Sequence, residues 1–227
     1  GLRDGDIYII SNTGWFTGPI ISDQYTGMKY VDEIGLETSS ASGEKEFADI
    51  KGHWGRGDIL KLYEQGIVAG VGNNLFAPDS AVTRAELLQM AFASIKMNKY
   101  SFSGCYTDVN SGDWYASTMQ TANETKIIPE QMISDGKINP NQKITREETA
   151  AVLSKILTAA GKKKDGDLTA FADSFETDAW ASADMANIVG FEIMQGDENK
   201  KLNPQKTLTR AEACSLIKRF MSAYLSI

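Results

Sequence analysis

The sequence holds a single histidine, His53, among 227 residues. That scarcity excludes most hydrolytic and metal chemistry built on imidazole. A Ser-His-Asp triad, a Cys-His pair and a histidine-rich zinc site all need further histidines or a matched nucleophile. His53 precedes Trp54 at a loop-helix junction, where a capping or packing role is favoured over a catalytic one. The two cysteines, Cys105 and Cys214, show neither metal nor redox spacing. Cys214 reads as a core residue; Cys105 is either a free thiol or its distant partner. No stretch approaches the roughly 18 apolar residues of a membrane span. The opening GLRDGDIYII lacks the order of a signal peptide, so any export signal is expected outside this sequence. Positive charge is in deficit, with 23 Lys and Arg against 30 Asp and Glu, a formal −7. The field of such a chain repels nucleic acid and anionic membranes, so no nucleic-acid partner and no membrane insertion are expected. An anionic ligand would need local cation sites.

What is present is enough apolar material for a core, 42% of residues, and a unit repeated three times. Each copy opens with an aromatic residue, an Asp two residues later and then a Trp: Phe47, Asp49 and Trp54; Tyr106, Asp108 and Trp114; Phe171, Asp173 and Trp180. Each runs through a helical segment into a polar loop ending on an apolar-x-Pro triplet, Phe76 to Pro78, Ile138 to Pro140 and Leu202 to Pro204. Five residues after each proline stands a Thr that begins VTRAE, ITREE or LTRAE. Thr-x-x-Glu ahead of an apolar periodic run is a capping box. The predicted caps are Thr83 with Glu86, Thr145 with Glu148, and Thr209 with Glu212. From each Thr the apolar residues recur with helical period, as in Leu87, Leu88, Ala91 and Ile95.

One such helix pair cannot bury its apolar stripe alone. Three can do so around a common axis, which predicts a predominantly α-helical bundle with threefold pseudo-symmetry. The repeats are placed at 47–104, 105–170 and 171–227. Residues 1–46 read differently: β-branched and aromatic residues between Gly turns suggest a short β or irregular segment, with Trp15 and Tyr25 in a local hairpin. ETSSASGEKE follows as a flexible linker. The segment is either the tail of a preceding domain or an arm on the repeats.

The box leaves Arg84, Arg146 and Arg210 unexplained. A cation in the first turn opposes the helix dipole at roughly 0.3 to 1 kcal/mol, yet the choice recurs in every copy. Pairing with a nearby carboxylate is one account. The other is ligand binding: an Arg fork takes a carboxylate bidentately, beside helix N-terminal amides that also favour an anion.

Together the aromatic-x-Asp opening, the Trp, the apolar-x-Pro loop and the Thr-Arg-x-Glu start resemble the S-layer homology domain, here from Phe47 to about Tyr224 as a set of three. The resemblance implies a spindle-like fold around a central three-helix bundle. It also implies non-covalent anchoring of an extracellular protein to the bacterial cell wall or surface layer. The implied partner is a secondary cell wall polysaccharide bearing pyruvylated N-acetylmannosamine, held in grooves between repeats, with Arg84, Arg146 and Arg210 as ligand contacts. Other candidates are Trp54, Trp114 and Trp180 as sugar-stacking walls, although a Trp at a helix start more often packs into the core. Asp49, Asp108 and Asp173 can accept from sugar hydroxyls or cap the first helices, and Gly72, Gly136 and Gly196 stand before the prolines.

The second copy departs most, with Glu147 in ITREE, Pro129 within KIIPEQM and no counterpart of GIVAGVG, so Arg146 is expected to matter least. A calcium loop fits poorly: the stretch from Asp165 has Ala170 where the turn glycine belongs. No catalytic group, cofactor or metal is expected. The alternatives to a plain anchor are the targeting module of a glycan-active surface enzyme and a self-associating structural module.

Overall fold

The computed structural model describes residues 10–11, 14–15 and 46–226. The chain divides into two compact units, 1–45 and 46–227. In the first, Ile10–Ser11 pairs antiparallel with Gly14–Trp15, Ile10 opposite Trp15. The side chain of Trp15, Tyr25 and the linker up to residue 45 lie outside the described residues.

The second unit is helical. Its helices are α1 (Arg56–Glu64), α2 (Arg84–Ser94), α3 (Ala116–Glu124), α4 (Arg146–Ala159), α5 (Ala179–Gly190) and α6 (Arg210–Leu225), with short 3-10 turns between. The even-numbered helices begin on complete capping boxes: Thr83, Thr145 and Thr209 each accept the N3 amide, and Glu86, Glu148 and Glu212 each reach back to the N-cap amide. The odd-numbered helices have no side-chain N-cap bond of this kind.

Helices pair across copies. Helix α3 packs on α2, α5 on α4, and α1 on α6, so the first helix of each copy covers the capped helix of the copy before it, and the first copy covers the last. Asp58 of α1 fixes this last pair, accepting from Ser215 at 2.6 Å and Lys218 at 2.5 Å on α6. The residues just before the three caps close a ring of backbone hydrogen bonds: Val82 donates to Leu208, Leu208 to Ile144, and Ile144 to Val82. Around it lies one continuous apolar core, in which Phe76, Phe92, Phe220, Leu87, Leu153 and Ile217 are fully buried.

Cys105 and Cys214 are both free thiols. Cys214 is fully buried in the core, and burial pushes its thiol up to about 12.

Candidate functional site

The three motif arginines leave their own copies. Arg84 enters the loop of the second copy, where its Nη1 donates to the carbonyls of Ile138 at 2.7 Å and Met132 at 3.2 Å. Arg146 enters the third, with Nε to Leu202 O at 2.5 Å and Nη2 to Gln195 O at 3.1 Å. Arg210 enters the first, with Nε to Phe76 O at 2.9 Å and Nη2 to Ala69 O at 2.7 Å, its guanidinium 4.5 Å from the Phe76 ring centre. The apolar residue of each apolar-x-Pro triplet therefore receives the arginine of the preceding copy.

The expectation that Arg146 matters least rests on the second copy's departures, which the geometry attaches to a different arginine. The arginine sharing space with the divergent second loop is Arg84. It is 5% exposed and ion-paired with Glu148. Arg210 lies 3.5 Å from Glu86. The Glu equivalent for Arg146 is Glu212, which instead meets Lys206 at 3.3 Å. Burial lowers the Arg146 pKa, against the pull of Glu212, Asp173 and Asp197.

Two further expectations are corrected. The N-terminal amides of the capped helices are not orphans. Arg84 and Ala85 donate to Gln142 O and Pro140 O, Arg146 and Glu147 to Lys206 O and Pro204 O, and Arg210 and Ala211 to Ser80 O and Pro78 O, all at 2.9 to 3.0 Å. The neighbouring proline turn thus takes the first two amides and the Thr hydroxyl the third, leaving no amide cradle for an anion. Nor do the motif aspartates cap the first helices. Asp49 accepts from Phe76 N and Ala77 N, Asp108 from Ile138 N and Asn139 N, and Asp173 from Leu202 N and Asn203 N, at 2.7 to 3.1 Å. Each carboxylate clamps a turn whose second residue, Ala77, Asn139 or Asn203, has φ between 51° and 57°. Burial opposes the charge on Asp49, but the two amides outweigh it and its pKa is lowered.

The tryptophans are not core residues. Trp54 is 65% and Trp114 62% exposed, while Trp180 is half-buried, its indole N–H donating to Asp178. Aliphatic Ile59 and Leu62 fill the core behind α1, and the indole stays outside. Beside it, His53 Nδ1 accepts the Gly55 amide at 3.0 Å, a local cap.

Trp54 and Trp114 line two clefts of one design. In the first, of about 270 Å³, Trp54 meets Arg146, the loop from Gln195 to Lys201 and the α6 face of Glu212, Ser215, Leu216 and Arg219. In the second, of about 470 Å³, Trp114 meets Arg210, the loop from Gly66 to Val71 and the α2 face of Glu86, Gln89 and Met90. Each combines an exposed indole from one copy, an arginine from another, and a loop and helix face from the third. Gly196 belongs to the first cleft, where an added Cβ would sit 2.9 Å from the Phe171 ring. Its counterpart is Gly70, pressed against Phe47, while Gly72 and Gly136 serve left-handed turns at φ +101° and +71°. Lys201, Lys206 and Arg219 were not singled out from the sequence. The signal for Arg219 was the i, i+3, i+4, i+7 stripe running from the capping Glu.

At the third junction Ile133 stands where the others have glycine, after a 3-10 turn over Glu130–Met132. Glu147, the odd residue of ITREE, is buried there and accepts the Asp178 amide at 3.1 Å. Burial raises its pKa above the ordinary 4.5, partly offset by that amide and by Gln205, with Asp178 adding repulsion. A raised folded-state pKa gives stability that is present at low pH and lost as pH rises through that value. Glu147→Gln is therefore expected to raise stability at pH 7 and to have no such advantage below about pH 4. Urea denaturation at both pH values tests this; an equal effect at both would contradict it.

The described helices form three interlocked helical repeats with clefts at their junctions. The chain belongs to the S-layer homology domain family, which it matches at residues 46–88, 106–150 and 170–214. It is 34% identical over 177 residues to an amylopullulanase of Thermoanaerobacterium thermosulfurigenes, 77% of this chain and 9% of that protein. It is 32% identical over 174 residues to the exoglucanase XynX of Acetivibrio thermocellus, 75% of this chain and 16% of that protein. With an S-layer protein of Bacillus thuringiensis subsp. finitimus the identity is 29% over 189 residues, 81% of this chain and 22% of that protein. The chain thus matches a minor part of each relative's length. Family membership makes it a cell-surface, cell wall-associated protein. Among the described residues no helix is long and apolar enough to cross a membrane.

Proposed function

We infer that this module holds a surface protein to the cell wall by binding a pyruvylated secondary cell wall polysaccharide in the clefts carrying Arg146 and Arg210. The observation that carries this reading is the pairing, twice, of an exposed indole with an arginine from another copy. An aromatic face offers apolar area to a sugar ring. A guanidinium held by two carbonyls, as that of Arg146 is, keeps its charge and presents it in a fixed orientation to a ketal carboxylate. The relatives include both S-layer proteins and enzymes, so the cargo is a lattice subunit or a surface enzyme.

Purified sacculi should retain the protein, and stripping the secondary polymer with hydrofluoric acid should abolish retention. Chelator should leave binding unchanged. Polymer lacking the pyruvate ketal should bind roughly ten- to a hundredfold more weakly, the loss corresponding to a charged hydrogen bond of about 1.5 to 3 kcal/mol. Equal binding of both polymers would exclude the carboxylate as the recognised group.

A further inference from the structure

The two clefts share one frame but differ in charge. The Arg146 cleft carries four cations, Arg146, Lys201, Lys206 and Arg219, against two carboxylates, Asp197 and Glu212. The Arg210 cleft carries one cation and one carboxylate, Arg210 and Glu86, and these two lie 3.5 Å apart. The difference arises at corresponding places in the repeat. Where the third copy has Asp197, Lys201, Lys206 and Arg219, the first has Val71, Leu75, Ser80 and Ala93.

The pairing of the capping Glu sharpens the contrast. In the Arg210 cleft, Glu86 neutralises the motif arginine. In the Arg146 cleft, Lys206 takes up Glu212 at 3.3 Å. Arg146 then has no ion pair within 4.0 Å and no hydrogen bond from Nη1 among the described residues. It is partly buried, so its charge is less screened than that of a surface lysine. The same cleft is lined by exposed Lys201 and by exposed Arg219, whose Nη1 donates to Ile193 O at 3.2 Å. The Arg210 cleft instead is lined by Val71, 57% exposed, and Trp114, 62% exposed, a surface suited to the apolar face or N-acetyl methyl of an uncharged sugar.

We propose that the two clefts divide one glycan between them: the Arg146 cleft takes the carboxylate-bearing sugar and the Arg210 cleft an uncharged N-acetylated neighbour. The division rests on the anchoring function inferred above and adds to it a distinct ligand for each cleft. It makes the second occupied cleft a reader of the polymer's neutral residues rather than a duplicate carboxylate site.

The indole N–H signals of Trp54 and Trp114, assigned with Trp54→Phe and Trp114→Phe, report the clefts separately. The whole protein is titrated with the methyl glycoside of pyruvylated N-acetylmannosamine and with that of N-acetylmannosamine itself. The charged glycoside should move the Trp54 signal with a Kd about tenfold lower than it shows at Trp114, and raising salt from 20 to 200 mM should narrow the gap. The neutral glycoside should move Trp114 at least as readily as Trp54. Lys201→Leu with Arg219→Ala, which copies the first repeat, should remove the preference at Trp54 without altering the melting temperature by more than a few degrees. Equal Kd values for the charged glycoside at both indoles would overturn the division. So would silence of both indoles while sacculi still retain the protein. If sacculi fail to retain it, the anchoring function fails, and the division with it.

Discussion

Removal of residues 171–227 is expected to unfold the remaining two copies rather than leave a shorter stable bundle. The first copy depends on the last: α1 packs on α6, Asp58 is held by Ser215 and Lys218, and Val82 closes the backbone ring with Leu208 and Ile144. The deletion removes the fully buried Met185, Ile188, Leu202, Leu208, Ile217 and Phe220. At roughly 1.5 to 3 kcal/mol for each such side chain, their loss matches or exceeds the 5 to 15 kcal/mol by which a domain is normally stable. Circular dichroism melting of residues 46–170 should show no cooperative transition, while residues 46–227 should melt as one unit. A sharp, reversible melt of the shorter fragment would contradict the interlocked arrangement.

Arg84→Ala carries the largest expected effect of a single substitution. From the sequence, removing a cation from a helix N-terminus is expected to leave stability unchanged or slightly higher. The structure reverses the sign, because Arg84 is 5% exposed, ion-paired with Glu148 and bonded to the carbonyls of Ile138 and Met132. Truncating one partner of a buried pair strands the other, at roughly 3 to 5 kcal/mol. The double variant Arg84→Met with Glu148→Gln should recover much of that loss, since Gln retains the capping box and neither side chain is then charged. Urea denaturation of wild type and both variants tests the argument. A single variant within about 0.5 kcal/mol of wild type would remove Arg84 from the structural framework.

The helices and caps were legible because their signals are local. Thr83 to Glu86 is three residues, and the apolar stripe behind it needs only the helical period. Largely for this reason the α-helical class could be read directly from the sequence. The destinations of the arginines were not legible. Whether Arg146 serves the second loop or the third depends on how the copies pack around one another, which no local spacing records. The partners of the aspartates were hidden for a similar reason: Asp49 answers to Phe76 and Ala77, a full helix and loop away, and not to the first helix. The exposure of the tryptophans was not legible, because apolar area alone cannot tell a core position from an exposed one once Ile59 and Leu62 already fill the interior. The second copy's departures, Pro129 and Glu147, were visible, but the junction they alter is the one that receives Arg84.

The ring joining Val82, Ile144 and Leu208 also bears on how such modules can grow. In an open helical array each end presents an unfilled face, so copies can be gained or lost one at a time with small penalties. Here the first helix already occupies the face that a fourth copy would need, and every donor and acceptor of the ring is engaged. Insertion of one extra repeat must break the α1–α6 seam before it gains anything. Copy number within the closed ring is therefore held at three by geometry.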